Sequence, residues 1–154
     1  HADQTHGIND LRVFYQKYKK KIDIYGDEKT LKHLEKSFSY SFENTSGYPA
    51  IVKANKIKKV FTLGNGNELI KFKSIKVTHG KINSIGYIFG KTAYISDCNK
   101  LSNSNLNKLK NLKYFIIDCL RFNPHPSHFS LSEVLDVIKE IKHVEKQEKQ
   151  EKTA

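Results

Sequence analysis

Apolar positions change their spacing several times along the chain, and each change marks a new element. Over residues 7–20, Ile8, Leu11, Phe14, Tyr15 and Tyr18 recur at three- and four-residue intervals, which predicts a helix with one buried face. Ile22-Asp23-Ile24-Tyr25 alternates and stops at Gly26, a short strand, and Asp27 stands where it can cap a second helix reaching about Phe42. Asn44, Ser46, Gly47 and Pro49 punctuate a loop. From Ile51 to Asp97 the period falls to two, with Gly64-Asn65-Gly66-Asn67 as a tight connection and Gly80, Gly86 and Gly90 between strands, so four or five strands are predicted. Ser102 to Asn111 reads as a short helix and Leu112 to Asp118 as a buried strand. A final helix begins at Ser130 or Ser132 and runs to about Val144, with Leu131, Val134, Leu135, Val137, Ile138 and Ile141 as its buried face. Beyond Val144 no apolar position remains, so residues 145–154 are expected to form a charged, frayed tail. The alternation predicts one α/β domain over residues 1–144.

Composition narrows the class. A chain of 154 residues buries roughly two-thirds of its unfolded surface, and 8 Tyr and 9 Phe supply material for a core. The 2 cysteines, Cys98 and Cys119, form neither a disulfide framework nor a metal knuckle, so a reducing cytoplasm is expected. No run approaches a membrane span and the first residues lack a secretory pattern, so a soluble protein with no membrane partner is expected. Because no Met is present, even at position 1, the chain is expected to be processed or truncated at its start. The formal charge is +11, but the only arginines are Arg12 and Arg121, and Lys is spread along the whole chain. Spread charge attracts anions without forming a reading surface, which places nucleic acid behind a small molecule as the expected partner.

Candidate chemistry collects where the predicted strands end. His1, Asp3 and His6 cluster at a helix start, His79 ends one strand, Asp97 another and Asp118 a third, while His125 and His128 stand in the loop before the last helix. Loops at one edge of a layered α/β fold converge, so these residues can meet in space. Imidazole and carboxylate together suit Zn, Mn or Fe. Against this, seven histidines is only modestly above ordinary usage for this length, and His33 and His143 fall in helices where a solvated or packing role is expected.

The segments that carry these residues resemble a known family. His1-Ala2-Asp3-Gln4-Thr5-His6-Gly7-Ile8-Asn9-Asp10-Leu11-Arg12 resembles the second half of the H-x-H-x-D-H signature of metallo-β-lactamase-fold hydrolases, in a variant whose last His is Gln. Thr78-His79-Gly80, Gly86-Tyr87-Ile88-Phe89-Gly90 and Ala93-Tyr94-Ile95-Ser96-Asp97 resemble the later metal motifs. Residues 118–131, from Asp118-Cys119-Leu120-Arg121 through His125-Pro126-Ser127-His128, resemble the branch containing phosphoribosyl cyclic phosphate phosphodiesterases. The resemblance implies a four-layer αββα sandwich, incomplete at one or both ends. The family's first His would precede His1 by two residues, and its last metal-binding His would follow the final strand.

The resemblance also implies one or two divalent ions, Zn or Mn first. His1 and His79 would ligate one, Asp97 would bridge both, and Asp3, counted also among the catalytic groups, would hold the second. His128 is the candidate proton donor or phosphate contact, with helix capping as its alternative; His125 is a weaker candidate, with a solvent-facing loop position as its alternative. Gln4 and His6 are possible second-site or substrate groups. Asp118 would orient a metal-bound His or cap its strand, and Arg121 would grip a phosphate or form a surface ion pair.

Three functions compete. The first is hydrolysis of a small phosphodiester, such as a nucleotide or cyclic ribose phosphate, by a metal-activated water. The second is an RNA-processing nuclease of the same superfamily, whose substrate affinity would fall steeply with salt. The third is a truncated, non-catalytic remnant that binds a partner. Loss of the first β-layer would expose apolar sheet surface, and the resemblance implies a homodimer.

Overall fold

The computed structural model describes residues 2–45 and 47–151 and divides into two compact units, residues 1–58 and 59–154. The first unit contains helix α1 (Ala2–Thr5), a 3-10 turn (His6–Asp10), α2 (Leu11–Tyr18), strand β1 (Ile22–Gly26), α3 (Glu28–Ser37), α4 (Ser39–Phe42) and β2 (Val52–Lys56). β1 and β2 pair in parallel, Ile22 opposite Val52 and Gly26 opposite Lys56. The helix predicted over residues 7–20 is therefore split, and its buried face is narrow. Ile8 is buried and Leu11 and Tyr15 partly so, while Phe14 and Tyr18 are exposed. Asp27 does cap α3, its Oδ1 accepting the Thr30 N–H at 2.7 Å. The helix stops at Phe38 instead of running to Phe42, because Phe38 leaves helical geometry (φ −130) and packs with Phe42 against Ile8, Ile51 and Val52.

The second unit is a five-stranded sheet in the order β3-β4-β5-β6-β7 with helices against one face. Its elements are β3 (Val60–Leu63), β4 (Ile70–His79), β5 (Ile82–Phe89), β6 (Thr92–Ile95), α5 (Asn103–Lys108), β7 (Tyr114–Ile117) and α6 (Leu131–Glu151). Pairing is antiparallel through β6 and parallel between β6 and β7. It follows that β4, β6 and β7 run the same way and end at the same sheet edge, which is where His79, Asp97 and Asp118 lie.

Ile75, Val77, Ile88, Ala93 and Ile95 form the sheet side of the core, and Leu106, Leu109, Val134 and Ile141 the helix side. Gly86 lies inside β5, not between strands: an added Cβ would stand 2.9 Å from Ile95 Cγ1 and 3.1 Å from Ile75 Cγ1, so the flanking isoleucines already occupy its side-chain space. Gly80 does make a turn, at φ +59, with Lys81 completing the two-residue link between β4 and β5.

β7 is half-buried, with Tyr114 and Ile116 exposed. They share the sheet's second face with Tyr94 and with the ring row Phe61, Phe72 and Phe89, whose successive centroids are 5.3 and 5.1 Å apart. At the start of α6 Glu133 reaches back to Ser130, its carboxylate accepting the Ser130 N–H at 2.8 Å and the Ser130 hydroxyl at 2.5 Å. The Ser130 hydroxyl first, then its N–H, holds Glu133 below the usual carboxylate range. Leu131 and Leu135 lie outside the buried face of α6, and the helix continues past Val144 to Glu151.

Candidate metal centre

The shared edge of β4, β6 and β7 gathers three side chains. His79, the last residue of β4, is buried, and its Nδ1 lies 2.7 Å from the Ser127 carbonyl oxygen. A carbonyl only accepts, so Nδ1 carries the proton and Nε2 is the acceptor nitrogen of the ring. Asp97, two residues beyond β6, is buried. Its Oδ2 accepts the Ser96 hydroxyl at 2.9 Å, and its backbone oxygen accepts the Ser84 hydroxyl. His128 arrives from the loop before α6, and its Nδ1 lies 2.5 Å from Asp118 Oδ2. That same carboxylate oxygen accepts the Cys98 N–H at 2.9 Å.

The backbone dictates this convergence. Asp118 follows β7 directly and donates its N–H to the Ile95 oxygen, while Phe129 donates its own to Cys98, folding the loop back over the edge. The His79 and His128 rings meet edge to face with centroids 4.7 Å apart. Potential ligand atoms of His79, Asp97 and His128 all lie within 4.8 Å of one another, the one such group among the described residues. Two imidazoles and a carboxylate suit Zn, Mn or Fe, and both rings are oriented from behind through Nδ1, as metal-binding histidines require. The residues present therefore fit a divalent ion.

The remaining candidates are placed differently. His125 is half-buried with its ring 5.1 Å from that of His128, and its Nδ1 accepts the Ser127 N–H at 3.3 Å. Burial first, and then the Arg121 guanidinium, hold His125 below the ordinary imidazole range, so it is neutral at pH 7. Arg121 turns back on its own loop, donating from Nε to the Asn123 oxygen at 3.1 Å and from an Nη to the Pro124 oxygen at 2.6 Å. Asp3, Gln4 and His6 belong to the first unit and are exposed; the His6 ring packs edge-on against Phe38. His1 lies outside the described residues. Burial pushes the Cys98 thiol up to about 12, so it is inert, and Cys119 is exposed.

Sequence reasoning passed over Ser84, Ser96, Asn99 and Ser127. Of these only Ser96, adjacent to Asp97, carried a local signal. Ser127 acts through its carbonyl, which no side-chain pattern reveals.

Comparison with known proteins agrees with this geometry. A solved structure described as a new diphosphatase from the PhnP family superposes with a TM-score of 0.76 at 27% identity, covering 92% of this chain and 53% of that one. An octanoyltransferase of Porphyromonas gingivalis is 23% identical over 139 residues, 88% of this chain and 27% of that protein. The chain thus spans about half the length of the solved relative and about a quarter of the curated one. No helix among the described residues is long and apolar enough to cross a membrane. The model of the beta-lactamase superfamily domain matches residues 1–147, and the chain belongs to that family, whose α/β architecture its two units display.

Proposed function

We propose that this chain contributes the metal centre of a hydrolase acting on a small phosphodiester, such as a nucleotide or cyclic ribose phosphate. The observation that carries it is the grouping of His79, Asp97 and His128 with both imidazoles oriented from behind. The solved relative's description as a diphosphatase supports a phosphorus ester or anhydride as substrate. The charge of +11 supports an anionic one. The octanoyl transfer named for the curated relative belongs to a protein of which this chain spans 27%, and it is not carried over.

A divalent ion at such a centre supplies activated water at neutral pH and neutralises charge developing on phosphoryl oxygens. The protein's own groups divide the remaining work. His79, backed by a neutral carbonyl, presents Nε2 as a donor, and Asp97 presents a carboxylate oxygen. His128 is backed by a carboxylate, which keeps the ring aimed and strengthens Nε2 as a donor to the ion. In this reading His128 would complete the ligand set with His79 and Asp97, and Asp118 is its positioning partner.

Metal binding and turnover together test the assignment. His128→Gln is expected to bind the ion at least about tenfold more weakly and to lose turnover of an alkyl phosphodiester and of a nitrophenyl ester alike. Wild-type metal affinity with a loss confined to the alkyl ester, whose leaving group needs a proton, would contradict it. The same reading takes a second copy of the chain as partner, supported by exposed Tyr94, Tyr114 and Ile116 on one sheet face. Sedimentation as a monomer counts against that association. The free cysteines support a reducing compartment.

A further inference from the structure

We propose that Asn99 is a positioning residue that fixes the separation of His79 and His128, using both ends of its side-chain amide. The inference rests on the reading of His79, Asp97 and His128 as a metal centre. Asn99 stands two residues after Asp97, between the turn that follows His79 and the loop that delivers His128. Its Oδ1 accepts the Gly80 N–H at 2.9 Å and its Nδ2 donates to the Pro126 oxygen at 3.0 Å. Its backbone N–H is also anchored, to the Thr78 oxygen at 2.9 Å. One planar amide thus ties the residue after His79 to the residue two before His128.

These contacts close a ring. From Asn99 the path runs through Gly80 to His79, across the His79 Nδ1–Ser127 bond of 2.7 Å, back along the chain to Pro126, and through Nδ2 to Asn99 again. The His79 imidazole is itself one side of the ring, so its Nδ1 partner stays in place only while the loop is held against the turn. The turn and the loop already touch. A Cβ on Gly80 would stand 3.0 Å from Ser127 Cβ and 3.6 Å from the Pro126 oxygen. Packing therefore limits how closely they approach, and the amide limits how far they part. The link needs a group that donates and accepts at once: a carboxylate keeps only the Gly80 contact, and an alkyl side chain keeps neither.

The test uses Asn99→Ala and Asn99→Asp with two readouts. The first needs no metal: solvent exchange of the His79 Nδ1 proton, followed by NMR of the metal-free chain. The wild-type proton is expected to be protected, with exchange at least about tenfold faster in Asn99→Ala and intermediate in Asn99→Asp. The second is cobalt(II) titration with the visible spectrum recorded. Both variants are expected to bind cobalt about 10–100-fold more weakly and with altered bands. If Asn99→Ala does not fold, Asn99→Asp, which retains the Gly80 contact, carries the test.

The outcomes separate the two claims. Wild-type chain that takes up no cobalt, yet shows Asn99-dependent protection of His79, removes the metal reading and leaves the positioning role standing. Wild-type chain that binds cobalt, with variants of unchanged affinity, spectrum and exchange, overturns the positioning role and leaves the metal reading standing.

Discussion

In the second unit each side chain of the candidate centre has another group behind it: Ser127 behind His79, Ser96 beside Asp97, Asp118 behind His128. In the first unit, Asp3 and Gln4 stand exposed on a four-residue helix, and the exposed His6 meets Thr5 and the edge of Phe38. Both regions contain acid and imidazole side chains, but only the second takes them largely out of water. A buried polar group must be partnered, since an unmet donor or acceptor there costs about 1–3 kcal/mol. Burial therefore selects one rotamer and one tautomer, whereas an exposed carboxylate exchanges water partners freely. The comparison teaches that preorganisation comes from what lies behind a functional residue more than from the residue itself.

The largest expected effect that sharpens this contrast is at Asp118. Asp118→Asn keeps the shape but removes the carboxylate behind His128, and about a 10–100-fold loss of turnover is expected with the fold intact by circular dichroism. A variant that keeps wild-type turnover would place His128 outside the chemistry. Next are the helix starts, one in each unit. Glu133→Ala removes the carboxylate that holds Ser130 at the start of α6 and Asp27→Ala removes the cap of α3, each expected to cost about 1 kcal/mol in urea unfolding. A markedly larger loss at Glu133 would show that the start of α6 also supports the edge.

The smallest effect expected is electrostatic and lies in the first unit. Lys56, then Lys32, hold the Glu28 carboxylate down to about 2 from its ordinary 4.5. A depressed carboxylate stabilises the fold above its ordinary value, and that contribution is lost as pH falls from about 4.5 towards 2. Glu28→Gln should remove this slope from the acid limb of the melting curve. The side chain is exposed, so salt screening is expected to shrink the slope as well.

Much of the second unit was legible in the sequence. Residues 59–97 alternate because one sheet face packs on helices, and the strand ends at His79 and Asp97 follow from that alternation, whereas residues 51–58, read as part of the same run, pair with β1 in the first unit. What brought the strand ends to one edge was direction: β4 and β6 run the same way because β5 lies antiparallel between them, and β7 joins them through the α5 crossover. Gly86 was misread as a break because a glycine marks both turns and places where neighbouring side chains leave no room, and only Ile75 and Ile95 in place distinguish the two. The helix of residues 7–20 lost its outer face, since Phe14 and Tyr18 satisfy a helical period without being covered. The Asn99 bridge left no sequence signal, because both of its partners are backbone groups.

The central claim is that His79, Asp97 and His128 form a metal centre, and metal content per chain tests it most directly. The measurement is plasma mass spectrometry on untagged protein purified without added metal and again after reconstitution, for the wild type and for Asp97→Ala. At least about one Zn, Mn or Fe per wild-type chain and none in the variant is the predicted result. A wild-type chain that stays metal-free after reconstitution, or a variant that holds as much metal as the wild type, would contradict it.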